Sequence, residues 1–140
     1  MKVSLIISTF NRKVLLIPLL YMLEKQSLKS FEVIVADDGS TDGTVEEVER
    51  LGNILSYELR VVSQENKGFR VAKSRNNAAR IASSSQLVFV DDDCRPDNIF
   101  LESYYLSFTE NHLLRGDIIF VSSFEQLNQV LFIHPGGQET

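Results

Sequence analysis

Leu87-Val88-Phe89-Val90-Asp91-Asp92-Asp93-Cys94 is the stretch on which the reading of this chain turns. Its apolar half is short, rich in β-branched and aromatic residues, and entered from Ser83-Ser84-Ser85. Such a run reads as a strand buried on both faces, which is the habit of a parallel sheet. It stops abruptly in three carboxylates. In open α/β sheets ligands bind beyond the carboxyl ends of the strands, so this acidic triplet falls where a ligand would sit. Adjacent carboxylates repel one another and lose hydration unless positive charge stands among them. A divalent cation is the economical partner, because Mg²⁺ and Mn²⁺ prefer oxygen ligands and accept one or two carboxylates together with phosphate oxygens and water. On an extended backbone Asp91 and Asp93 share one side and Asp92 takes the other. The plainer account of an acidic triplet is a solvated turn; the apolar strand running into it weighs against that account.

Working outward, the same signature recurs. Residues 3–8 read as a first strand, with Thr9-Phe10-Asn11-Arg12 as the turn at its carboxyl end. A helix follows with Leu15, Leu16, Leu19, Leu20 and Leu23 on a face wide enough to cover a sheet. Pro18 leaves two alternatives open: the helix begins near Ile17 with the proline in its first turn, or it begins earlier and is kinked. Residues 31–36 make a second strand that again ends in carboxylates, Asp37-Asp38. Gly39 then permits a tight turn of positive φ, and Ser40, Thr41 or Asp42 caps a helix over 44–51 that Gly52-Asn53 ends. Residues 57–63 form a third strand. The loop 64–70 leads to a third helix whose Val71, Ala72, Ala78, Ala79 and Ala82 are small enough for close packing. Beyond the acidic triplet, Pro96-Asp97 opens a helix over about 98–110, and residues 117–123 read as one more strand. Strands alternating with helices at this spacing imply βαβ units and an α/β fold with a mostly parallel sheet and flanking helices. A single domain over 1–131 and a tail over 132–140 are expected.

Composition narrows the function. The 140 residues suffice for one domain with a hydrophobic core, and 44% are hydrophobic. A net charge of −5 argues against a nucleic-acid backbone as partner, though not against a nucleotide held through a metal. Cys94 is the only cysteine, which excludes an intrachain disulfide and a cysteine metal cage. The apolar segment 14–23 is about half of a membrane span and contains Pro18, and no leader is read at the amino end. The expectation is a cytoplasmic protein, with peripheral contact at the cytoplasmic face of the membrane left open. There is no G-x-G-x-x-G, no G-x-x-x-x-G-K-[ST] and no serine nucleophile elbow, so dinucleotide oxidoreductases, P-loop phosphotransferases and serine hydrolases are set aside.

If the strands are parallel, Thr9 to Arg12, Asp37-Asp38, the 66–70 loop and Asp91 to Asp93 share one rim. Carboxylates, a metal and nearby cations suit a ligand with a diphosphate and a hydroxylated ring, with Lys67, Arg70 or Arg75 balancing phosphate charge. The blocks Ser8-Thr9-Phe10-Asn11-Arg12, Val33 through Asp37-Asp38-Gly39-Ser40-Thr41-Asp42-Gly43-Thr44, Gly68-Phe69-Arg70 with Ala72 and Arg75-Asn76, and Phe89-Val90-Asp91-Asp92-Asp93 resemble the family 2 glycosyltransferases. They come in that family's order and cover about residues 3–105.

The resemblance implies a GT-A, Rossmann-like fold and inverting transfer of a sugar from a nucleotide donor, commonly UDP-linked, with Mn²⁺ or Mg²⁺ as cofactor. It places Thr9, Phe10 and Arg12 in the nucleotide pocket, Asp38 on the uracil ring or ribose, and Arg75 near the pyrophosphate and uracil; Lys67 is counted with the donor-binding residues for its charge. Asp91 and Asp92 would join the donor site, with Asp93 the principal metal ligand and Asp91 beside it. The sequence around Lys67 leans toward enzymes that build bacterial polysaccharides, making a glycan or polysaccharide the expected acceptor. The resemblance departs at the end of the chain: members of the family usually continue further, into an acceptor half carrying the carboxylate that deprotonates the attacking hydroxyl. No residue here is assigned that role; Asp117 is the last candidate carboxylate and His134 the only candidate for a late metal-site histidine. The chain therefore reads as truncated before the acceptor half. A catalytically silent nucleotide-sugar-binding module, completed by a second chain or by self-association, is the alternative. An aspartate-nucleophile phosphatase built on Asp37-Asp38-Gly39-Ser40-Thr41 is a third reading, which wants its two carboxylates one residue apart rather than adjacent.

Overall fold

In the computed structural model, which describes residues 1–116, the strands β1 (Val3–Thr9), β2 (Phe31–Asp37), β3 (Glu58–Ser63) and β4 (Leu87–Asp91) form one sheet. All pairings are parallel and the order is β3-β2-β1-β4. The helices are α1 (Lys13–Met22), extended by a 3-10 turn (Leu23–Lys25), α2 (Thr44–Leu51), α3 (Val71–Ile81) and α4 (Phe100–Ser107). From β1 the chain steps outward to β2 and β3, then returns to the far side of β1 for β4. The direction of winding thus reverses between β1 and β4. A crevice for a ligand opens at such a reversal, beyond the carboxyl ends of the two strands.

The central strands are the fully buried ones: every residue of β1 and β2 is buried. Their side chains alternate between two cores. Val3, Leu5, Ile7, Val33, Val35 and Val88 pack with Leu16, Leu19, Leu20, Val48, Leu51 and Leu101 from the helices of one face. On the other face Ile6, Ile34 and Ala36 meet Ala78, with Ala79 and Ala82 alongside, so the small residues of α3 do permit close approach. β4 corrects the expectation of burial on both faces. Val88 is buried, yet Leu87 is 37% and Phe89 48% exposed. Among the described residues β4 pairs only with β1, and α3 packs over β1, β2 and β3. Its parallel direction was legible from the apolar run; its place at the edge was not.

Pro18 is settled as well. Because α1 begins at Lys13, the proline lies inside the helix, not in its first turn near Ile17. It lacks the N–H that would reach the Val14 carbonyl. Val14 is 80% exposed, so water can satisfy that oxygen. None of the candidate caps is the N-cap of α2, which is Gly43; Asp42 just before it accepts from the Thr44 N–H at 3.1 Å and the Thr44 hydroxyl, while its other oxygen accepts from the Lys13 N–H at 3.0 Å. One side chain therefore fixes the start of two helices. α4 is shorter than the expected 98–110 span, because Phe108 leaves the helix in extended backbone. No helix among the described residues is long and apolar enough to cross a membrane. The expected strand over 117–123, the tail over 132–140, Asp117 and His134 lie outside the described residues.

Candidate functional site

The parallel register brings Ser8 of β1 opposite Asp91 of β4 and Thr9 opposite Asp37 of β2. Two polar clusters grow from this alignment. In the first, the Ser8 hydroxyl donates to Asp91 Oδ1 at 3.0 Å, and Arg75, carried across by α3, donates to the same oxygen at 2.7 Å and to Ser8 Oγ at 3.2 Å. In the second, the Thr9 hydroxyl donates to Asp92 Oδ2 at 2.9 Å while Arg12 stands 3.2 Å from Asp92 Oδ1 and 3.4 Å from Asp93 Oδ2. The acidic triplet is thereby divided. Asp92 is buried, with Asp91 and Asp93 exposed: β4 ends at Asp91, and the turn that follows directs the Asp92 side chain inward to Thr9 and Arg12. Burial pushes the Asp92 carboxyl above its ordinary value, and the neighbouring charges of Asp93 and Asp91 push the same way; the Thr9 hydrogen bond and the Arg12 charge oppose them.

The two carboxylates after β2 divide their labour too. Asp37 is fully buried and accepts from the N–H groups of Gly39 and Ser40 and from the hydroxyls of Ser40 and Ser63. Both its oxygens are consumed in holding the turn, which removes it as the nucleophile of a phosphatase. Asp38 faces the rim: Oδ1 accepts from Gln64 Nε2 at 2.7 Å, Oδ2 from the Arg70 N–H at 2.9 Å, and its own N–H donates to the Thr9 carbonyl at 3.1 Å. Gly39 has φ +90°, and a Cβ there would stand 2.5 Å from the Asn66 backbone nitrogen, so only glycine lets the turn and the 64–66 loop meet. Asn11, also at positive φ, accepts from the Thr41 N–H at 2.7 Å and donates its own N–H to Ser40 Oγ at 2.8 Å, tying the first block to the second.

Of the residues named from the sequence, Thr9, Arg12, Asp38, Arg75, Asp91, Asp92 and Asp93 are brought onto one rim by these bonds. Phe10 stands 40% exposed beside them. Lys67 is not drawn in: it pairs with Glu65 at 3.4 Å, and both side chains are mostly in solvent. Ser8, Asn11, Gln64 and Arg95 hold the rim together although the sequence assigned them no role. For Arg95 a signal existed, a lone cation two positions after three carboxylates and directly before Pro96. Beside the rim lies a shallow cleft of about 410 Å³ lined by Ala72, Arg75, Asn76 and Phe89.

Among the described residues no three His, Cys, Asp or Glu side chains converge as a metal cage. The donor set suits a different arrangement, in which a hard cation takes one carboxylate and completes its shell with phosphate oxygens and water. Asp93 fits that task, since it is exposed and its recorded contact is the 3.4 Å approach of Arg12. Asp91 is less free, with Oδ1 already accepting from Ser8 and Arg75.

Known proteins resemble this chain in sequence and fold. The validoxylamine A glucosyltransferase of Streptomyces hygroscopicus subsp. jinggangensis is 44% identical over 90 residues, 63% of this chain and 21% of that protein. Residues 1–349 of S. aureus TarS, in complex with UDP, superpose with a TM-score of 0.63 at 35% identity, covering 76% of this chain and 31% of that one. The mannosyltransferase PcManGT of Pyrobaculum calidifontis, in complex with GDP-Man and Mn²⁺, superposes with a TM-score of 0.56 at 30% identity over 66% of this chain and 27% of that one. The matched region thus spans about a fifth of the two validoxylamine A glucosyltransferases, 21% and 19%. The glycosyl transferase family 2 model matches residues 4–127, a span that begins in β1 and takes in every rim block described above. The chain therefore belongs to glycosyl transferase family 2, and its sheet is that of the GT-A fold.

Proposed function

We propose that this chain binds the donor in a glycosyl transfer reaction, taking a nucleoside-diphosphate sugar, UDP-linked in the first instance, for metal-assisted inverting displacement onto a glycan or polysaccharide acceptor. One observation carries the reading: at the winding reversal, two adjacent paired clusters, Arg75 with Asp91 and Thr9 and Arg12 with Asp92 and Asp93, make up one polar rim. Complexes of relatives with UDP and with GDP-Man and Mn²⁺ support it.

The roles follow from what each group can do. Asp38, held by Gln64 and Arg70, presents a carboxylate fit to accept from a base N–H or a ribose hydroxyl. Phe10 and Thr9 flank that position. Arg12 and Arg75 carry charge suited to a diphosphate, and the carboxylates that now pair with them keep both guanidinium groups on the rim. Asp91 is placed to accept from ribose or sugar hydroxyls, while buried Asp92 orients Thr9 and Arg12. Asp93, with support from Asp91, would hold Mn²⁺ or Mg²⁺. Such a cation supplies Lewis-acid stabilisation of the charge that grows on the leaving diphosphate. Inverting displacement also needs a base within hydrogen-bond reach of the attacking hydroxyl. Every described rim carboxylate already has a donor-side role, which keeps a nucleotide-sugar-binding module without turnover as the second reading. The reading places the protein in the cytoplasm, with its single free thiol, Cys94, and contact at the membrane face as its open feature.

Calorimetric titration of UDP with Mn²⁺ and then with EDTA, on the wild type and Asp93→Asn, tests the donor site. Metal-dependent binding that weakens at least tenfold in the variant is expected. A folded wild type that binds no UDP under either condition overturns the UDP reading. Turnover with an acceptor then separates the enzyme from the silent module, since donor binding is common to both.

A further inference from the structure

Arg95 is the one cation near the acidic triplet that none of the donor-site roles uses. The other two arginines there, Arg12 and Arg75, pair with carboxylates. Arg95 instead binds three backbone carbonyls. Its Nη1 donates to the Asp92 carbonyl at 3.0 Å and the Cys94 carbonyl at 2.8 Å, and its Nη2 donates to the Leu15 carbonyl at 2.9 Å. The planar fork of an arginine can span such acceptors at once, because its N–H groups are fixed relative to one another. Pro96, directly after it, biases the Arg95 backbone toward extended conformations and so limits where the fork can stand.

The Leu15 carbonyl, 80 residues away in sequence, lies in the first turn of α1, the helix that begins at Lys13 with Arg12 as its N-cap residue. Arg95 therefore bolts the turn carrying Asp92 and Asp93 to the helix carrying Arg12. The Asp92 side chain also ties the turn to Thr9 and Arg12, but it leaves the Asp93–Cys94 side of the turn to other bonds. Beyond the Arg95 bonds, its backbone closes through the Cys94 N–H donating to the Asp91 carbonyl at 3.1 Å, and the Asp93 side chain meets only the long 3.4 Å contact with Arg12. Where the Asp93 carboxylate points is set by that backbone.

We infer that Arg95 is a positioning residue: by clamping the Asp92–Cys94 carbonyls to α1 it fixes where Asp93 stands, and so sets the rim's affinity for a divalent cation bound together with a diphosphate. The clamp itself stands on geometry alone, while its consequence for affinity rests on the donor-site reading.

Two variants, Arg95→Met and Arg95→Lys, each examined in two ways, test it. Methionine keeps much of the stem and removes all donors; lysine keeps the charge as a point donor that cannot span both sides of the clamp. In the ligand-free protein, amide hydrogen exchange at Cys94 should quicken at least tenfold in Arg95→Met, with β1 and β2 unchanged, and by a smaller factor in Arg95→Lys. UDP affinity in Mn²⁺ should fall at least tenfold in Arg95→Met and about threefold in Arg95→Lys, while affinity in EDTA stays within twofold of wild type. An arginine with a merely structural role would lower the melting temperature and speed exchange across β1 and β2, with the Mn²⁺ dependence unmoved; that result overturns the inference. Should Arg95→Met fail to fold, wild-type exchange at Cys94 together with wild-type affinity in Arg95→Lys overturns it equally. If the wild type binds no UDP, the donor-site reading falls, and exchange at Cys94 alone still decides whether the clamp exists.

Discussion

Thr9 shows how one hydroxyl can govern a carboxylate. Asp92 is buried between Thr9 and Arg12, and burial holds its carboxyl above the ordinary value of 3.8. For a carboxyl raised by folding, the stabilising contribution is present below the unfolded value and is lost as the pH rises through the folded one. Ionised Asp92 therefore opposes folding at neutral pH and depends on its two donors to be tolerated. Replacing Thr9 by Val keeps the shape and deletes one donor, which should destabilise the fold by about 1–3 kcal/mol at pH 7. The loss should shrink below the Asp92 titration, where the carboxyl is neutral. Denaturant unfolding of Thr9→Val at pH 7 and at pH 4 checks both parts; an equal loss at the two values would show that the hydroxyl serves packing instead. The family resemblance in the sequence already named Thr9 and Asp92 for the donor site. That they meet each other, rather than each facing the ligand, depended on the register of β1 with β4.

Among the elements, α1 carries the clearest strain. Pro18 interrupts its hydrogen bonding at Val14, and both residues face solvent, so no packing compensates. Proline inside a helix costs about 3 kcal/mol relative to alanine in exposed hosts. Pro18→Ala should stabilise the chain by about 1 kcal/mol or more and raise the melting temperature by several degrees. An unchanged or lower midpoint would mean that the proline limits the unfolded chain more than it disturbs the helix. The sequence left the position of Pro18 open because the leucine pattern fits a helix starting on either side of it. What decided the matter lay outside α1: Asp42, near the start of α2, accepts the Lys13 N–H and so anchors the first turn before the proline.

At the scale of the molecule, the amino end of the sheet, opposite the rim, is locked by a polar network. Glu32 is fully buried at the start of β2 and accepts from the Ser4 hydroxyl at 2.6 Å, from Arg60 at 2.6 Å and from the Ser83 N–H at 2.6 Å. These bonds join β1, β2, β3 and the approach to β4. Burial pushes the Glu32 carboxyl up, yet the hydrogen bonds from Ser4, Ser83 and Arg60 and the Arg60 charge outweigh it and leave the carboxyl below its ordinary value of 4.5. A carboxyl lowered by folding contributes stability above its unfolded value and loses it as the pH falls through the folded one. Wild-type stability should accordingly decline on acidification below about pH 4.5. In Glu32→Gln that decline should be shallower, from a starting point lower by about 3–5 kcal/mol because Arg60 loses its buried partner. Denaturant midpoints between pH 7 and pH 3 provide the check; parallel curves for the two proteins would dismiss Glu32 as the titrating group.

Order along the chain could be read before any folding was considered. Apolar runs that end in carboxylates, a helical leucine face and Gly39 are local patterns, each governed by neighbours a few residues away. They suffice for a parallel sheet and for four blocks of candidate site residues. Which of Asp91, Asp92 and Asp93 is buried, which strand lies at the edge, and that Arg95 rather than Lys67 serves the acidic turn are facts of another kind. They follow from β4 pairing with β1 across more than 80 residues of chain, as in the bond from Ser8 to Asp91. A register of that span is settled by the two cores packing against each face of the sheet at once, and no stretch of sequence contains both.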